Sequence, residues 1–248
     1  MLNQPTIQKL KEMRLPVMAK MLADSTDTER DMSFDDRLTL MVESEWLARR
    51  NNRINRLLKK ASFPMDASIE NIDYEHQKGL EKKLIQNLSG CGYIEQHLNL
   101  LITGMTGSGK TYVAAAFGNA ACRKNYTVKY LRIPELLLEL QAAKYENRFI
   151  KYIKQIQKVN LLILDDMGLK TYTLEESRDL LEIIEARYNK ASLIMIGQVP
   201  HPKWYELFPD PTIADAIMDR IIHNSYVFTI EADHSMREVT AKKLITAE

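Results

Sequence analysis

Hydrophobic and polar positions follow two different patterns along this chain, and the change comes at residue 98. From there on, short runs of leucine and β-branched residues alternate with longer segments in which apolar residues recur every three or four positions. The short runs predict buried strands and the longer segments predict helices. Strands are predicted at 98–103, 127–132, 160–165, 193–197 and 226–230. This alternation predicts an α/β fold, a parallel sheet flanked by helices, with the ligand at the carboxyl ends of the strands.

The rest of the chain is predicted to be mainly helical. Residues 1–62 contain no glycine and only two prolines, Pro5 and Pro16, so helix is expected almost throughout. Further helices are predicted around 80–88 and at 110–124, 134–157 with a break near 146–147, 174–190, 212–223 and 235–247. We therefore predict three parts: a helical N-terminal domain at 1–65, a connector at 66–97 and an α/β domain at 98–248.

A phosphate-binding motif joins the first predicted strand to the helix that follows it. Its residues fit the pattern G-x-x-x-x-G-K-[ST] and are Gly104, Met105, Thr106, Gly107, Ser108, Gly109, Lys110 and Thr111. Glycines let successive backbone N–H groups point at phosphate oxygens, and the helix adds its positive N-terminal end. Lys110 then reaches the β- and γ-phosphates, while Thr111 offers its hydroxyl to Mg²⁺. The motif predicts a site for a nucleoside triphosphate with Mg²⁺.

Two carboxylates end the third predicted strand and supply the second half of such a site. Four apolar residues at 161–164 precede Asp165 and Asp166. We expect Asp165 to hold Mg²⁺ and Asp166 to orient or polarise the attacking water, although glutamate is commoner in the second role. The alternative for both Asp165 and Asp166 is a helix cap at the end of a strand. The strand at 127–132 lies between the two motifs in the sequence, which favours an ATPase over a nucleotide kinase.

Composition narrows the class of protein. The chain has 248 residues, of which 45% are hydrophobic, enough for one large folded domain or one domain with an appendage. The 34 basic and 33 acidic residues exclude a histone-like polycation but not a local cationic surface. No signal peptide or membrane-spanning segment is recognisable, and Cys91 and Cys122 have no metal-binding spacing. A reduced, cytoplasmic protein that does not enter a membrane is expected.

A cationic helix face is predicted in the N-terminal domain. Residues 46–60 contain six basic residues and no acidic one, namely Arg49, Arg50, Arg53, Arg56, Lys59 and Lys60. Four of the six form a stripe on a helix. The apolar residues on nearly the opposite side, which are expected to pack, are Leu47, Ile54, Leu58 and Ala61. Such a stripe suits the phosphate backbone of duplex DNA, whereas the alternative is a merely solvated helix face.

A second cationic group lies between the second and third predicted strands. Its basic residues are Lys144, Arg148, Lys151, Lys154 and Lys158, against a single acid at Glu146. Both DNA contact and a solvated surface stay open for this segment.

Several longer blocks, together with these motifs, make the chain similar to the IstB family of ATPases, the helper proteins of certain insertion sequences. That family is related to the helicase loader DnaC and belongs to the AAA+ superfamily. The resemblance runs nearly from end to end. Its blocks lie at 10–15, 45–51, 99–104, 161–168 and 235–237, and the most specific is DPTIADAIMDRIIHN at 210–224.

The resemblance implies both a fold and a function. The fold is an AAA+ P-loop domain with a five-stranded parallel sheet and a reduced C-terminal lid. The cofactors are ATP and Mg²⁺, and the subunits form a homo-oligomer with ATP at their interfaces. The same resemblance implies ATP-dependent assembly on duplex DNA, remodelling of target DNA and stimulation of a partner transposase.

The resemblance also implies roles for single residues. Arg220 matches the arginine finger that reaches the ATP of the neighbouring subunit, and Arg237 matches the sensor arginine that contacts nucleotide within its own subunit. Gln198 takes the sensor position that helps place the attacking water, and Tyr74 lies where AAA+ proteins often build the adenine pocket. The alternatives are a surface ion pair for Arg220 and a solvated position for Arg237. For Gln198 and Tyr74 they are a polar strand end and ordinary packing.

Two residues depart from the family pattern, and three rival functions stay open. Gly197 stands where serine is usual before the glutamine, and Met105 replaces the usual proline of the phosphate loop. The first rival is a DnaC-like loader of a replicative helicase. The others are a small-molecule P-loop kinase and a nucleotide-dependent binding module with negligible hydrolysis.

Overall fold

A computed structural model of the chain describes residues 4–24 and 32–232. The chain divides into two compact units, Met1–Arg56 and Leu57–Glu248. The helix predicted at 235–247 and the predicted sensor Arg237 lie outside the described residues.

The first unit is helical, as its glycine-free sequence predicts. It contains α1 (Gln4–Glu12), α2 (Pro16–Ala23) and the beginning of α3 (Phe34–Ala61), which has 28 residues. Glu45 of α3 is buried and caps α2, because its carboxylate accepts hydrogen bonds from the backbone N–H groups of Val17 at 2.9 Å and Met18 at 3.2 Å. Burial opposes ionisation of Glu45, but hydrogen bonds from Arg49 and from those two N–H groups lower its pKa.

The second unit is built on a six-stranded sheet. Its strands are β1 (Gln77–Lys78), β2 (Asn99–Gly104), β3 (Val128–Arg132), β4 (Leu161–Met167), β5 (Ser192–Gly197) and β6 (Ser225–Ala232), in the spatial order β1-β6-β2-β5-β4-β3. All five predicted strands are present and parallel to one another. The predicted count of five is nevertheless wrong, because β1 pairs antiparallel with the outer edge of β6. With only two polar residues, β1 gives no hydrophobic pattern from which a strand is predicted.

The helices of the second unit cover the sheet close to the predicted positions. They are α4 (Lys82–Ser89), α5 (Gly92–Glu95), α6 (Lys110–Arg123), α7 (Ile133–Tyr145), α8 (Phe149–Gln157), α9 (Leu174–Arg187) and α10 (Pro211–Ile222). The predicted break after α7 is confirmed, and Asn147 there has a φ of 54°. Thr173 begins α9 with a reciprocal capping box to Glu176. Two short 3₁₀ segments, Ile69–Asn71 and His201–Leu207, also belong to this unit.

Each face of the sheet packs into its own hydrophobic cluster. Leu100 and Ile102 of β2 lie in the cluster that includes Phe117 of α6, whereas Leu101 lies in the cluster that includes Leu180 of α9. Strands covered on both faces appear in the sequence as continuous apolar runs, and β2, β4 and β5 have this pattern. Within 4–24 and 32–232, no helix is both long enough and apolar enough to cross a membrane.

Candidate nucleotide-binding site

The phosphate loop lies between the carboxyl end of β2 and the first turn of α6. Its backbone turns through Gly104, Gly107 and Gly109, which have φ values of 150°, 82° and 89°. Gly104 also packs against β6 so closely that a Cβ atom there would lie 2.2 Å from the carbonyl oxygen of Ile230. Only glycine satisfies both the dihedral angle and this approach. The loop therefore has a glycine-dependent turn between a strand and a helix N-terminus, the setting in which phosphates bind.

Lys110 opens α6 and is largely buried beneath the loop. Its ammonium donates hydrogen bonds of 2.7 Å to the carbonyl oxygens of both Gly104 and Met105. The lysine thus holds the loop around its own charge, next to the place where phosphates are expected. Met105, which stands where proline is usual in the resembled family, is 71% exposed.

An edge-strand residue that the sequence did not single out supports the loop from behind. Gln77 of β1 is buried and donates from its side-chain nitrogen to the carbonyl oxygen of Ser108 at 2.9 Å. Strand β1, which the sequence did not predict, therefore supports the phosphate loop through its residue Gln77. Tyr74, three residues earlier, is partly buried, and its ring lies 5.7 Å from the ammonium of Lys82. Its assignment to an adenine pocket stays a prediction.

Thr111 and Asp165 are brought together at the point expected for Mg²⁺. The hydroxyl of Thr111 donates to Oδ2 of Asp165 across 2.8 Å, and the carboxylate is buried at the end of β4. Hydroxyl and carboxylate oxygens are the donors that Mg²⁺ prefers. The residues present therefore fit a magnesium ion beside the phosphate loop.

Tyr130 of β3 was not predicted from the sequence, yet it reaches the same carboxylate. Its hydroxyl donates to Oδ2 of Asp165 at 2.7 Å, and the ring is buried. Burial, followed by the charge of Asp165, raises the pKa of Tyr130 well above its ordinary value. The other carboxylate oxygen of Asp165 accepts the backbone N–H of Asp166 at 2.7 Å. Three donors therefore surround the proposed metal-binding carboxylate.

Asp166 lies in a bulge with a left-handed backbone. Its φ is 68°, and the pairing of β4 with β5 shifts register between Leu164 and Met167. The bulge turns its side chain to Arg132 at the end of β3, with a nitrogen–oxygen distance of 2.5 Å. The hydrogen bond and the charge of Asp166 raise the pKa of Arg132. The expected water-orienting carboxylate thus has an arginine partner that the sequence did not indicate.

Gln198 follows the last residue of β5 and contacts the phosphate loop. The hydroxyl of Thr106 donates to its side-chain oxygen at 3.0 Å. The preceding Gly197 packs beneath the indole of Trp204, where a Cβ atom would lie 2.7 Å from a ring carbon. A side chain at residue 197 therefore fits only if the buried indole of Trp204 moves. The predicted sensor residue does reach the candidate site.

Arg220 lies at the amino ends of the strands, away from the phosphate loop, where it lines a small cavity with Asn99 and Asn224. Asn99 pairs with Ser225 at the start of β2 and β6, whereas Gly104 pairs with Ile230 near their ends. Five residues of strand separate these levels by about 17 Å. Arg220 forms an ion pair with Glu185, and its guanidinium lies 5.8 Å from the ring centre of Tyr188. It is therefore not brought to the site formed by Lys110 and Asp165.

All six predicted cations of α3 are exposed. Arg49 nevertheless has partners in the same unit, a 2.9 Å ion pair with Glu45 and a hydrogen bond to the carbonyl of Arg14. Arg50 lies over the ring of Trp46 at 5.4 Å. The apolar side is only partly as predicted, since Ala61 is buried but Leu47 is 47% exposed.

The second cationic group contains some residues in ion pairs and others that line an open surface. Lys144 contacts Glu175 at 2.8 Å and Asp179 at 2.7 Å, and Arg148 forms an ion pair with Glu146. Three exposed residues of this group, Lys151, Lys154 and Lys158, line one open depression with Ile150. The exposed face of α8 is thus a lysine surface, and its contact with DNA stays a prediction.

Comparison with known proteins places these features in a family context. Residues 8–243 match the family model described as IstB-like ATP binding protein. A protein of Sinorhizobium fredii named as an insertion sequence ATP-binding protein is 36% identical over 98% of this chain and 100% of its own length. The ATP-binding protein of insertion sequence IS1162 from Pseudomonas fluorescens is 38% identical over 81% of this chain and 88% of its own. Among solved structures, the DnaC helicase loader superposes with a TM-score of 0.57 at 18% identity, covering 66% of this chain and 97% of that one.

Proposed function

The chain belongs to the family of IstB-like ATP binding proteins, and on that premise we propose that it is an AAA+ ATPase that assembles on duplex DNA and stimulates a partner transposase. The names of its relatives, which refer to insertion sequences, support a role in transposition. In the proposed mechanism, ATP first binds to the phosphate loop of residues 104–111.

The observation that carries the proposal is the 2.8 Å contact between Thr111 and Asp165 beside a complete phosphate loop. The backbone N–H groups of the loop and Lys110 bind the phosphates of ATP. Thr111 and Asp165 hold Mg²⁺, which when bound neutralises charge on the phosphate oxygens. The loop, the lysine and the two oxygen donors are what nucleotide binding with a metal ion needs.

Hydrolysis requires an oriented water at the γ-phosphate, and two side chains are available to hold it. Gln198 approaches the loop through Thr106, and Asp166 lies one residue beyond the metal-binding carboxylate. We assign both to the orientation of the attacking water, with Asp166 accepting its proton. The ion pair with Arg132 has to rearrange for Asp166 to take that role.

Arg220 acts between subunits in this proposal. Arg220 lies near the amino ends of the strands, about 17 Å of strand length from the phosphate loop. This position suits a residue that reaches the nucleotide site of a neighbouring subunit rather than its own. Each subunit then presents a phosphate loop on one side and a finger on the other. Such a head-to-tail arrangement generates rings or helical filaments. ATP favours the assembly because its site is complete only between two subunits.

The cations of α3 supply the DNA contact in this proposal. Arg50, Arg53, Arg56, Lys59 and Lys60 are exposed along one helix, and basic residues of this kind bind the phosphate backbone without reading sequence. The lysine surface of α8 adds a second contact. Sequence-independent binding to duplex DNA suits a helper protein that assembles on target DNA of varied sequence.

One experiment tests the proposal as a whole. The ATPase rate is measured with and without duplex DNA, and the oligomer size is determined by light scattering in ATP and in ADP. We expect DNA to raise the rate and ATP to enlarge the assembly, and we expect Lys110→Ala to abolish both effects. Lys124→Ala, at the exposed end of the same helix, is the matched control. Turnover that depends on a small-molecule acceptor and not on DNA would indicate a kinase, and negligible turnover a binding module.

A further inference from the structure

The carboxylate of Asp165 is held from two sides by hydroxyl groups. Thr111 of α6 and Tyr130 of β3 both donate to the same oxygen, Oδ2, at 2.8 and 2.7 Å. The second oxygen accepts the N–H of Asp166 at 2.7 Å. A carboxylate has about four lone-pair directions, so these three donors define its orientation closely.

The position of Tyr130 follows from the register of the sheet. Tyr130 pairs with Ile163 in the parallel ladder of β3 and β4, which places its side chain on the same face as Ile163 and, two residues further along, Asp165. The ring lies in the hydrophobic cluster on that face, and its hydroxyl extends toward the carboxyl end of β4. A buried strand residue of this kind has little freedom to move, so its hydroxyl is a fixed point.

The hydroxyl groups of Thr111 and Tyr130 have different proposed roles in metal binding. Thr111 is itself a proposed ligand of Mg²⁺, and its oxygen has to serve the metal as well as Asp165. Tyr130 approaches Asp165 from the neighbouring strand and is not needed as a ligand. Its hydrogen bond to Asp165 would therefore remain available if the oxygen of Thr111 coordinated the metal. Groups that orient a ligand in this way typically contribute 10- to 100-fold in metal affinity.

We propose that Tyr130 is a positioning residue that fixes the carboxylate of Asp165 for Mg²⁺ binding. The role rests on the proposed magnesium site of Thr111 and Asp165. Through the hydroxyl group of Tyr130, strand β3 would contribute to metal binding. Tyr130 itself would contact Asp165 and not the nucleotide.

The test measures metal-dependent nucleotide binding, not turnover. A fluorescent ADP analogue is titrated into the full-length protein at increasing Mg²⁺, and the half-saturating Mg²⁺ concentration is determined. We expect Tyr130→Phe to raise that concentration about 10-fold while the affinity without Mg²⁺ stays the same. Tyr126→Phe is the matched control, because it also removes a tyrosine–carboxylate hydrogen bond, the 2.8 Å contact with Glu95, but near the amino end of β3.

A second comparison separates the positioning role from a loss of folding. In an Asp165→Asn background, Tyr130→Phe should cause no further change in Mg²⁺ dependence, because the carboxylate it positions is gone. An unchanged half-saturating Mg²⁺ concentration in Tyr130→Phe, or an equal rise in Tyr126→Phe, overturns the inference. A wild-type protein whose nucleotide affinity ignores Mg²⁺ overturns the proposed metal site itself, and the role of Tyr130 with it.

Discussion

Thr106 donates a 3.0 Å hydrogen bond to Gln198, which joins the phosphate loop to the end of the central strand β5. The two residues are far apart in the sequence and meet because β2 and β5 are parallel neighbours that end at the same edge of the sheet. The contact places the side chain proposed to orient the water against the phosphate loop. The contact supports the proposed role of Gln198 in orienting the attacking water.

Gln198→Ala should separate nucleotide binding from hydrolysis. The phosphate loop keeps its glycines and Lys110, so the affinity for a fluorescent ATP analogue should stay within about threefold. Turnover at saturating ATP should fall by about 100-fold, because the attacking water loses an orienting group. Gln96→Ala, an exposed glutamine at the end of α5, should leave both quantities unchanged. Equal turnover in Gln198→Ala would remove it from the site.

The neighbouring acids should give different defects when each is neutralised. Asp165→Asn should weaken Mg²⁺-dependent nucleotide binding at least about 10-fold, since the proposed metal loses a charged ligand. Asp166→Asn should preserve that binding and lower turnover about 100-fold. Equilibrium binding with and without Mg²⁺, together with single-turnover hydrolysis, measures both. Identical profiles for the two variants would contradict the division of roles.

Arg220→Ala should bind ATP normally and hydrolyse it poorly, with a loss of about 10³-fold. Mixing Arg220→Ala with Lys110→Ala should restore activity, since the second variant supplies an intact finger to the intact nucleotide site of the first. Random mixing in equal amounts pairs the intact parts at about a quarter of the interfaces. Arg178→Ala, an exposed arginine of α9, serves as the control. Failure of the mixture to recover any turnover would argue against a finger acting between subunits.

DNA binding through α3 should depend steeply on salt. If all six cations meet phosphates, the logarithm of the binding constant falls with the logarithm of the salt concentration at a slope of about −5. The double variant Arg53→Gln/Arg56→Gln should make that slope shallower by about 2, whatever the DNA sequence. Lys203→Gln, on an exposed turn outside the helix, should not change it. A slope near zero in the wild-type protein would exclude the helix as a DNA contact.

The two cysteines should be unreactive in the folded protein. Both are buried, and burial raises the pKa of the Cys91 thiol to about 11 and that of Cys122 to about 12. A thiol-specific reagent at pH 8 should label them at least about 100-fold more slowly than after unfolding in urea. Because the unfolded thiols ionise first, the free energy of unfolding should fall as the pH rises above about 9. Rapid labelling of the native protein would contradict the buried positions.

Much of the fold was predictable because it depends on local patterns. The three inner strands β2, β4 and β5 are apolar runs that are buried almost throughout, and the phosphate loop is a short motif whose residues are consecutive in the sequence. The break after α7 was also local, at Asn147. The edge strand β1 could not be predicted, because its two polar residues are a strand only through pairing with β6.

The contacts that complete the site depend on register, which a single sequence does not show. Tyr130 reaches Asp165 only because β3 and β4 pair in one particular alignment, and Arg132 meets Asp166 only because a bulge turns that residue aside. The charge pattern misled in one respect. Residues 46–60 contain no acidic residue. Glu45, which immediately precedes this segment, nevertheless forms an ion pair with Arg49.

The close packing of Gly197 under Trp204 couples the two positions sterically. A Cβ atom at residue 197 would lie 2.7 Å from a carbon of the indole, so any larger residue there requires the tryptophan ring to move. A smaller residue at 204 would make room for a side chain at 197 but would leave a void if residue 197 stayed glycine. The free energies of substitution at 197 and 204 should therefore be non-additive, because the space at one position depends on the side chain at the other.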